Sequence, residues 1–479
     1  MTNAIACGRK TGHAGSRAPG IGLLTVLALC TAGCTTDNPY TAPKFSFLPG
    51  YTAARGGAPV LLSNAEWWKR LNDPVLSDLV AIALQDSLSL ELARERVTEA
   101  RAALLAVPGA ATLSPSAGIR AADQSNGDFQ TTGTADLGLS WMLDPYGGRR
   151  AQIRAAGARI EVADAEIDAA QLLLLYNITN AYIDLRYRQR LLVLRQQELR
   201  TSQRTLNLTR ELLAAESTTR LESARAEARV AEIRAQLPDL QAATAARTNE
   251  IAVLTGTPPG TLKLDLGTGA DQPRPALSPD VGIPTDLLRN RPDIRIAERG
   301  YYAALAEVEQ ARASLYPTLS LTGAISLNLL DGGSPGAGYY FGPAIQFPTL
   351  PGNSARAGVE LRHSRARQAY VSWESTVLTA ILEVENALLD YQAVSASLDH
   401  ASRAARLYRE ALTLTREVFR RGEATLSDLI DAEEAVASAD GVLAEKAFLR
   451  AQSFVALNVR LGAGHAVEKS IADAEDSPL

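Results

Sequence analysis

Two aspartates near the C-terminus, Asp428 and Asp431, stand three residues apart. Three apart on a helix, they can project from one face, and carboxylates held side by side attract cations. The rest of the chain offers little for catalysis. The four histidines, His13, His363, His400 and His465, are scattered with no motif around them, which argues against a His-built metal site. All three cysteines, Cys7, Cys30 and Cys34, precede residue 35, so no disulfide or Cys-ligated zinc can organise the residues after them. No Ser/His/Asp set and no paired catalytic carboxylates stand out. The Gly-rich run Asp331 to Gly338 (DGGSPGAG) lacks the Lys-Ser/Thr of a phosphate loop. A net charge of −5 argues against a nucleic-acid partner. The expectation is a protein that is not an enzyme, with no catalytic residues, no metal and no cofactor.

Cys34 is the exception among the thiols. Arg9, Lys10 and Arg17 give a positive start, and Ile21 to Cys30 (IGLLTVLALC) is apolar but too short to span a bilayer as a helix. Small residues then lead directly to a cysteine in T-A-G-C, Thr31 to Cys34. This resembles a bacterial lipoprotein signal: residues 1–33 would be removed and Cys34 acylated as the mature N-terminus. Thr35 in place of aspartate after that cysteine favours delivery to the outer membrane.

The elements that would position Asp428 and Asp431 come from an internal repeat. Ile178, Leu185, Leu192, Leu199, Leu206 and Leu213 are spaced by seven, and 206 residues later the chain reads Val384, Tyr391, Leu398, Ala405, Leu412 and Phe419. The same offset aligns Asn180-Ala181 with Asn386-Ala387 and Arg210-Glu211 with Arg416-Glu417. Leu113 and Pro115 match Leu315 and Pro317 at an offset of 202. Each half carries a very long helix, 149–213 and 356–421, about 100 Å at ~1.5 Å per residue. Each is succeeded by a turn and a returning helix, 221–254 and 426–461. The heptad residues are expected to pack against neighbouring helices, from other subunits of an oligomer. Gly422 can close the second turn; Glu216 stands at the matching position, so Ser217, Thr218 and Thr219 are expected to make the first. Pro238 should kink its returning helix.

Before each long helix the period changes to two. Leu319, Leu321, Ile325 and Leu327 alternate with Thr318, Ser320, Thr322, Ser326 and Asn328. Tyr339, Phe341, Ile345 and Phe347 alternate with Tyr340, Gly342, Ala344 and Gln346. The first half repeats this with Leu137, Leu139, Trp141 and Leu143, after a weaker segment. Strands are predicted at 116–124, 132–143, 318–328 and 339–347, and each is long enough to cross a membrane when tilted. A soluble four-stranded sheet would read similarly. Four strands cannot close a membrane barrel and open edges cannot persist in lipid, so several chains must complete it together.

The stretch G-I-P-T-D-L-L-R-N-R-P-D-I-R-I-A-E, Gly282 to Glu298, resembles the signature G-L-P-S-D-L-L-x-R-R-P-D-I-x-x-A-E. That signature belongs to the TolC-like outer-membrane efflux factors of the NodT-type lipoprotein branch. Trp67-Trp68, Ser140 to Gly147 (SWMLDPYG), Ala311 to Gly323 (ARASLYPTLSLTG) and Gly422 to Asp431 (GEATLSDLID) fit the same family. Local departures are Pro145, Pro108-Gly109, Leu350-Pro351-Gly352-Asn353, and Ala463-Gly464-His465 in place of glycine-glycine-tryptophan.

The resemblance implies an α+β membrane protein. Three chains would form a 12-stranded outer-membrane β-barrel, four strands from each, continued by a long periplasmic α-helical barrel. The organisation becomes a signal peptide 1–33, a lipidated segment 34–80 packing on an equatorial region, a first repeat 81–254, a linker 255–285, a second repeat 286–465 and a tail 466–479. The implied function is passive export of small molecules in a tripartite efflux system, with a periplasmic adaptor and an inner-membrane pump as partners beside the homotrimer and outer-membrane lipid. An outer-membrane channel for type I protein secretion would share the fold, and a soluble periplasmic coiled-coil scaffold is a reading of another class.

In the family, two aspartates matching Asp428 and Asp431 ring the periplasmic aperture, so three chains would stack six carboxylates there. Their mutual repulsion should raise their pKa values. Ala424 stands where some relatives place a basic residue. Within the signature, Pro284 and Glu298 are structural, and Arg291-Pro292-Asp293 is expected to start a helix, with Pro292 in the first turn and Asp293 complementing the helix N-terminus.

Overall fold

The computed structural model describes residues 43–47, 50–53, 66–123, 129–262, 264–267, 271–275, 282, 284–330, 335–348 and 351–465. Cys34, the signal segment 1–33, the start of the Gly-rich run and the tail 466–479 lie outside these. The described residues form two compact units.

The first unit comprises Val107–Arg154 and Ala306–His363. It holds four antiparallel strands in chain order: β1 (Ala111–Asp123), β2 (Phe129–Leu143), β3 (Thr318–Leu330) and β4 (Gly336–Gln346). β1 begins five residues before the predicted 116, because the preceding helix ends at Leu105, ahead of Pro108, and the chain straightens at once. Pro115 sits in an edge strand, where its missing N–H is tolerated.

Pairing decides what the sheet is for. Leu139 lies opposite Leu113 and Gly323, Leu137 opposite Ile325, Ile325 opposite Tyr339, and Leu319 opposite Ile345. Directly paired residues share a face, so one apolar surface runs across all four strands. Ser114, Ser116, Asp136, Ser140, Thr322 and Ser326 occupy the other. That apolar face is exposed, with Tyr339, Phe341, Ile325 and Trp141 open to the surroundings. A soluble sheet would bury such a face; this one is built for lipid. At Gly323 a side chain would come 2.9 Å from the Phe341 ring, so glycine leaves room for the facing aromatic. No helix among the described residues is long and apolar enough to cross a membrane.

The second unit is helical. A 3-10 turn (Trp67–Leu71) leads to α1 (Pro74–Asp86) and α2 (Leu88–Leu105). Then come α3 (Gly148–Ala214), α4 (Arg220–Leu254), α5 (Pro292–Ala313), α6 (Asn353–Arg420) and α7 (Leu426–Arg460); one end of α3, of α5 and of α6 belongs to the first unit. The long helices span 67 and 68 residues, and α4 runs unbroken through Pro238. Two cores repeat one another. Ile178, Tyr182 and Leu185 of α3 pack with Trp67, Leu76, Ile251 and Phe454; Val384, Ala387 and Leu388 of α6 pack with Ile294, Trp373 and Leu457. A buried chain of polar groups braces the first. Asp73 accepts from the Leu76 N–H and the Tyr182 hydroxyl (3.1 and 2.8 Å), Arg186 donates to Tyr182 and Gln189, and Gln189 donates to the Leu266 carbonyl.

The heptad residues correct an expectation. Ile178, Leu185, Leu206, Val384, Tyr391, Ala405 and Leu412 are buried inside the chain itself. Leu206 packs with Ala226 and Val230 of its own returning helix, and Leu199 lies against that cluster. The seven-residue spacing therefore marks packing within each subunit, since every long helix already has its returning helix beside it.

Candidate functional site

The far ends of the two hairpins, α3–α4 and α6–α7, carry Glu216, Gly422, Asp428 and Asp431. At the second turn Gly422 takes φ +78°, its N–H donates to the Phe419 carbonyl (3.0 Å), and the Glu423 N–H donates to Val418 (3.1 Å). This is a Schellman cap. The first turn copies it, with Glu216 at φ +55°, Glu216 N–H to Leu213 (3.0 Å) and Ser217 N–H to Leu212 (2.8 Å). Glu216 itself makes the left-handed corner, in place of the Ser217, Thr218 and Thr219 turn expected from residue types. The six-residue closure fixes the backbone whichever residue occupies the corner.

Each returning helix starts on a threonine cap. The Thr219 hydroxyl accepts from the Glu222 N–H (3.3 Å), and the Thr425 hydroxyl accepts from the Asp428 N–H (3.2 Å). In α7 the box is reciprocal, because the Asp428 carboxylate accepts from the Thr425 N–H (2.8 Å) and hydroxyl (2.7 Å). Those two Thr425 bonds, side chain first, hold the Asp428 carboxyl below its ordinary value. Within one chain, Asp428 is turned back onto its own helix start while remaining exposed. Asp431, one turn on, is exposed and does not enter the box.

Between the two turns lies an open groove of ≈ 970 Å³. Leu208, Leu212, Phe419, Leu426 and Leu429 line it together with Arg416, Arg420, Glu222 and Ala424. Further along the helices, charged residues tie the hairpins together. Arg229 of α4 reaches Glu198 of α3 (2.6 Å) and Glu434 of α7 (3.2 Å). Glu433 of α7 accepts from Thr205 (3.0 Å) and pairs with Arg416 (3.1 Å). Nothing in the sequence singles these residues out because, without knowing which helices are neighbours, a charged residue beside a heptad stripe looks only solvated.

The signature residues sit at the other end of α7. Pro292 opens α5 and Pro284 is buried in the turn before it, while Glu298 is half-buried on α5. Arg291 does more than precede a helix. Its guanidinium grips both oxygens of Asp293 (3.0 and 2.6 Å), and its third nitrogen donates to Glu383 of α6 (2.8 Å) and to the Arg460 carbonyl (3.0 Å). Burial pulls the guanidinium down, but hydrogen bonds and charge from Asp293 and Glu383 outweigh it and leave it above the ordinary arginine value. Asp293 also accepts from the Ile294 N–H (3.0 Å). The motif is a clamp that fixes α5 to α6 and to the end of α7.

Beside it, Ala463-Gly464-His465 closes the fold. Trp67 donates to the Ala463 carbonyl (3.0 Å), Gln171 donates to Gly464 (2.7 Å), and His465 Nε2 meets the Asn290 carbonyl (2.7 Å). Among the described residues no group of three or more His, Cys, Asp or Glu could hold a metal.

Comparison with known proteins gives the same picture. The outer membrane efflux protein family matches residues 83–257 and 283–463. Nodulation protein T of Rhizobium leguminosarum bv. trifolii is 32% identical over 456 residues, covering 91% of this chain and 96% of the relative. The pyoverdine export outer membrane protein OpmQ of Pseudomonas putida is 27% identical over 465 residues, covering 92% and 97%. The solved outer-membrane channel OprN superposes with a TM-score of 0.81 at 30% identity, covering 90% of this chain and 100% of that one. The fold is thus the two-repeat, four-strand subunit of a trimeric, twelve-stranded barrel continued by a long helical barrel. The chain belongs to the outer membrane efflux protein family, as an outer-membrane channel of a tripartite efflux system.

Proposed function

We propose that the two hairpin tips form the periplasmic mouth of the channel and dock a periplasmic adaptor coupled to an inner-membrane pump. Small molecules, rather than folded or unfolded protein, would be the cargo. The observation that carries this reading is the open groove between the tips, lined by apolar and charged side chains together, a lining suited to the apex of a helical hairpin from another protein. The pump supplies the energy and the choice of compound; this chain supplies a path. Relatives named for pyoverdine export and antibiotic efflux support a small-molecule cargo. Asp431, with Asp428 behind its cap, would present carboxylates at the mouth and favour cations there. Acylated Cys34 would hold the N-terminus at the inner leaflet of the outer membrane, each buried methylene contributing about 0.8 kcal/mol.

A photo-crosslinking residue at exposed Ser427, beside the groove, should capture the adaptor in cells, whereas one at exposed Leu389 of α6 should not. Removal of the chain should raise sensitivity to small toxic compounds. Unchanged sensitivity together with loss of a secreted protein would replace this reading by the type I secretion channel. Intact mass of the mature chain tests the anchor, and an unmodified N-terminus anywhere but Cys34 rejects it.

A further inference from the structure

The apolar face of the sheet stops where the strands hand over to the helices. Leu143 of β2, paired with Leu319 of β3, and Ile345 of β4 lie at that edge. Just beyond it Tyr146 stacks on Tyr316, with centroids 4.5 Å apart and planes 14° from parallel. Both rings are exposed. Aromatic rings with a polar tip collect between hydrocarbon and headgroups, so this pair marks the membrane boundary on the helical side. A Cβ at Gly148 would lie 3.0 Å from that of Ala313, so glycine lets the start of α3 close on the end of α5.

Charge at this boundary is one-sided. The junctions 106–110, 144–150, 312–317 and 347–356 carry Arg149, Arg150, Arg312 and Arg356 against a single acid, Asp144. Arg149 donates to the Pro108 carbonyl (3.0 Å), and Arg150 lies 3.7 Å from Asp144. Arg312 and Arg356 are exposed, and among the described residues no acid pairs with either. Further along the helices the arginines do have acids, Arg154 with Glu309 and Arg362 with Glu307. Arg150 and Arg356 are images at the 206-residue offset, and Leu350 stands at the image of Asp144. Both arginines lie in the opening turn of a helix that has no acid there, where the helix dipole disfavours a cation. By contrast α2, α4, α5 and α7 each open on an acid. Helix stability does not account for these two arginines, whereas an anion outside the chain would.

We infer that this arginine belt binds the headgroups of anionic phospholipid in the inner leaflet of the outer membrane. The belt continues the lipid-facing sheet and sits beside the stacked tyrosines, at the height where lipid phosphates lie. A guanidinium can offer two parallel donors to phosphate oxygens, which suits arginine better than lysine to this contact. A zwitterionic lipid brings its own cation beside the phosphate, so the uncompensated charge of the belt selects lipids with net negative charge. Three copies repeat the belt around the barrel. The attraction is electrostatic and fades within about 8 Å at physiological salt, so only headgroups seated against the junctions feel it strongly.

Trp141, exposed on the sheet near the belt, reports the lipid that touches it, because Trp67, Trp68 and Trp373 are buried. The full protein is reconstituted in vesicles of phosphatidylcholine and phosphatidylglycerol, with bromine on the chains of one lipid or of the other. Quenching should show phosphatidylglycerol enriched about threefold over its bulk share at low salt, falling as salt rises. Arg150→Gln, Arg312→Gln and Arg356→Gln together should remove the enrichment while the total quenching stays the same. Arg150→Lys, Arg312→Lys and Arg356→Lys together should keep most of it. No enrichment in the parent, or enrichment that survives the glutamine changes, would overturn the belt and leave the channel standing. Arginines facing the lumen would instead shift ion selectivity in the glutamine variant without moving lipid enrichment, which also overturns it. Quenching by neither lipid would place the sheet outside the membrane and overturn the channel as well.

Discussion

The hairpins α3–α4 and α6–α7 close with the same hydrogen bonds, yet the left-handed corner is Glu216 in one and Gly422 in the other. Gly422 reaches φ +78° without steric cost, whereas Glu216 bears the clash of its Cβ with the following carbonyl. The first tip keeps its shape because Thr219 caps α4 and the Leu206, Ala226 and Val230 cluster holds the helices together. The lesson is that the turn is dictated by the packed hairpin, with the corner residue only setting how much strain it stores. The second tip spends its advantage elsewhere, in the reciprocal Thr425–Asp428 box that the first lacks.

The largest break in the comparison comes from the hairpin cores. Leu206→Asp should destabilise the α3–α4 hairpin by about 4 kcal/mol, combining lost burial with an unpaired buried charge. Leu412→Asp, its image 206 residues on, should do the same to α6–α7. Proteolysis near the tips should show local opening in each variant while the strands keep their protection. Equal loss of protection throughout the chain would show that the hairpins do not unfold separately.

Next comes the clamp, which only the second repeat contains. Arg291→Ala strands the Glu383 carboxylate and the Arg460 carbonyl, and should cost about 3 kcal/mol, discounted because Asp293 and Glu383 keep some solvent. Arg291→Lys should recover only part, since an ammonium cannot grip both Asp293 oxygens and still reach α6 and α7. Thermal unfolding of the detergent-solubilised protein measures both. A lysine variant as stable as the parent would reduce the clamp to a simple charge.

Much of the architecture is legible in the residues. The helices and strands come from periods of about 3.5 and 2, and the halves from a single offset, because local pattern and global packing agree here. The features that escape are relational. Whether Leu206 faces its own returning helix or another subunit depends on which helices are neighbours, and a heptad does not say. Arg291 announces a helix start through Pro292, but its grip on Glu383 and Arg460 spans 92 and 169 residues. Residue preference speaks against a glutamate corner at Glu216, and the cap geometry overrides that preference. The early start of β1 is masked because Pro115 interrupts an otherwise plausible strand pattern.

The strain at the first tip gives a smaller effect with a definite sign. Glu216→Gly should stabilise the protein by about 1 kcal/mol, and Gly422→Ala should destabilise it by a similar amount. Chemical denaturation with fluorescence at the tip would resolve the two shifts. Stabilisation by Gly422→Ala would mean that the corner is not held left-handed in solution.

The smallest effect separates two acids that sequence spacing treats as a pair. Asp428 belongs to the capping box and Asp431 does not, so one substitution should touch stability and the other conduction. Asp428→Ala removes both bonds to Thr425 and should lower the unfolding midpoint slightly, with Asp428→Asn recovering part of it through its amide oxygen. The pH dependence has a fixed sign. A carboxyl held below its unfolded value contributes stability at neutral pH, and that contribution fades as pH falls from the ordinary aspartate range through the lower folded value. Acid should therefore narrow the gap between parent and Asp428→Ala. Asp431→Ala should leave the midpoint unchanged at every pH while lowering cation selectivity in planar bilayers, because its carboxylate is exposed and outside the box. If Asp428→Ala alone abolishes selectivity and Asp431→Ala does nothing, the cap and the gate are the same residue, and the division of labour drawn from one chain fails once three chains meet at the mouth.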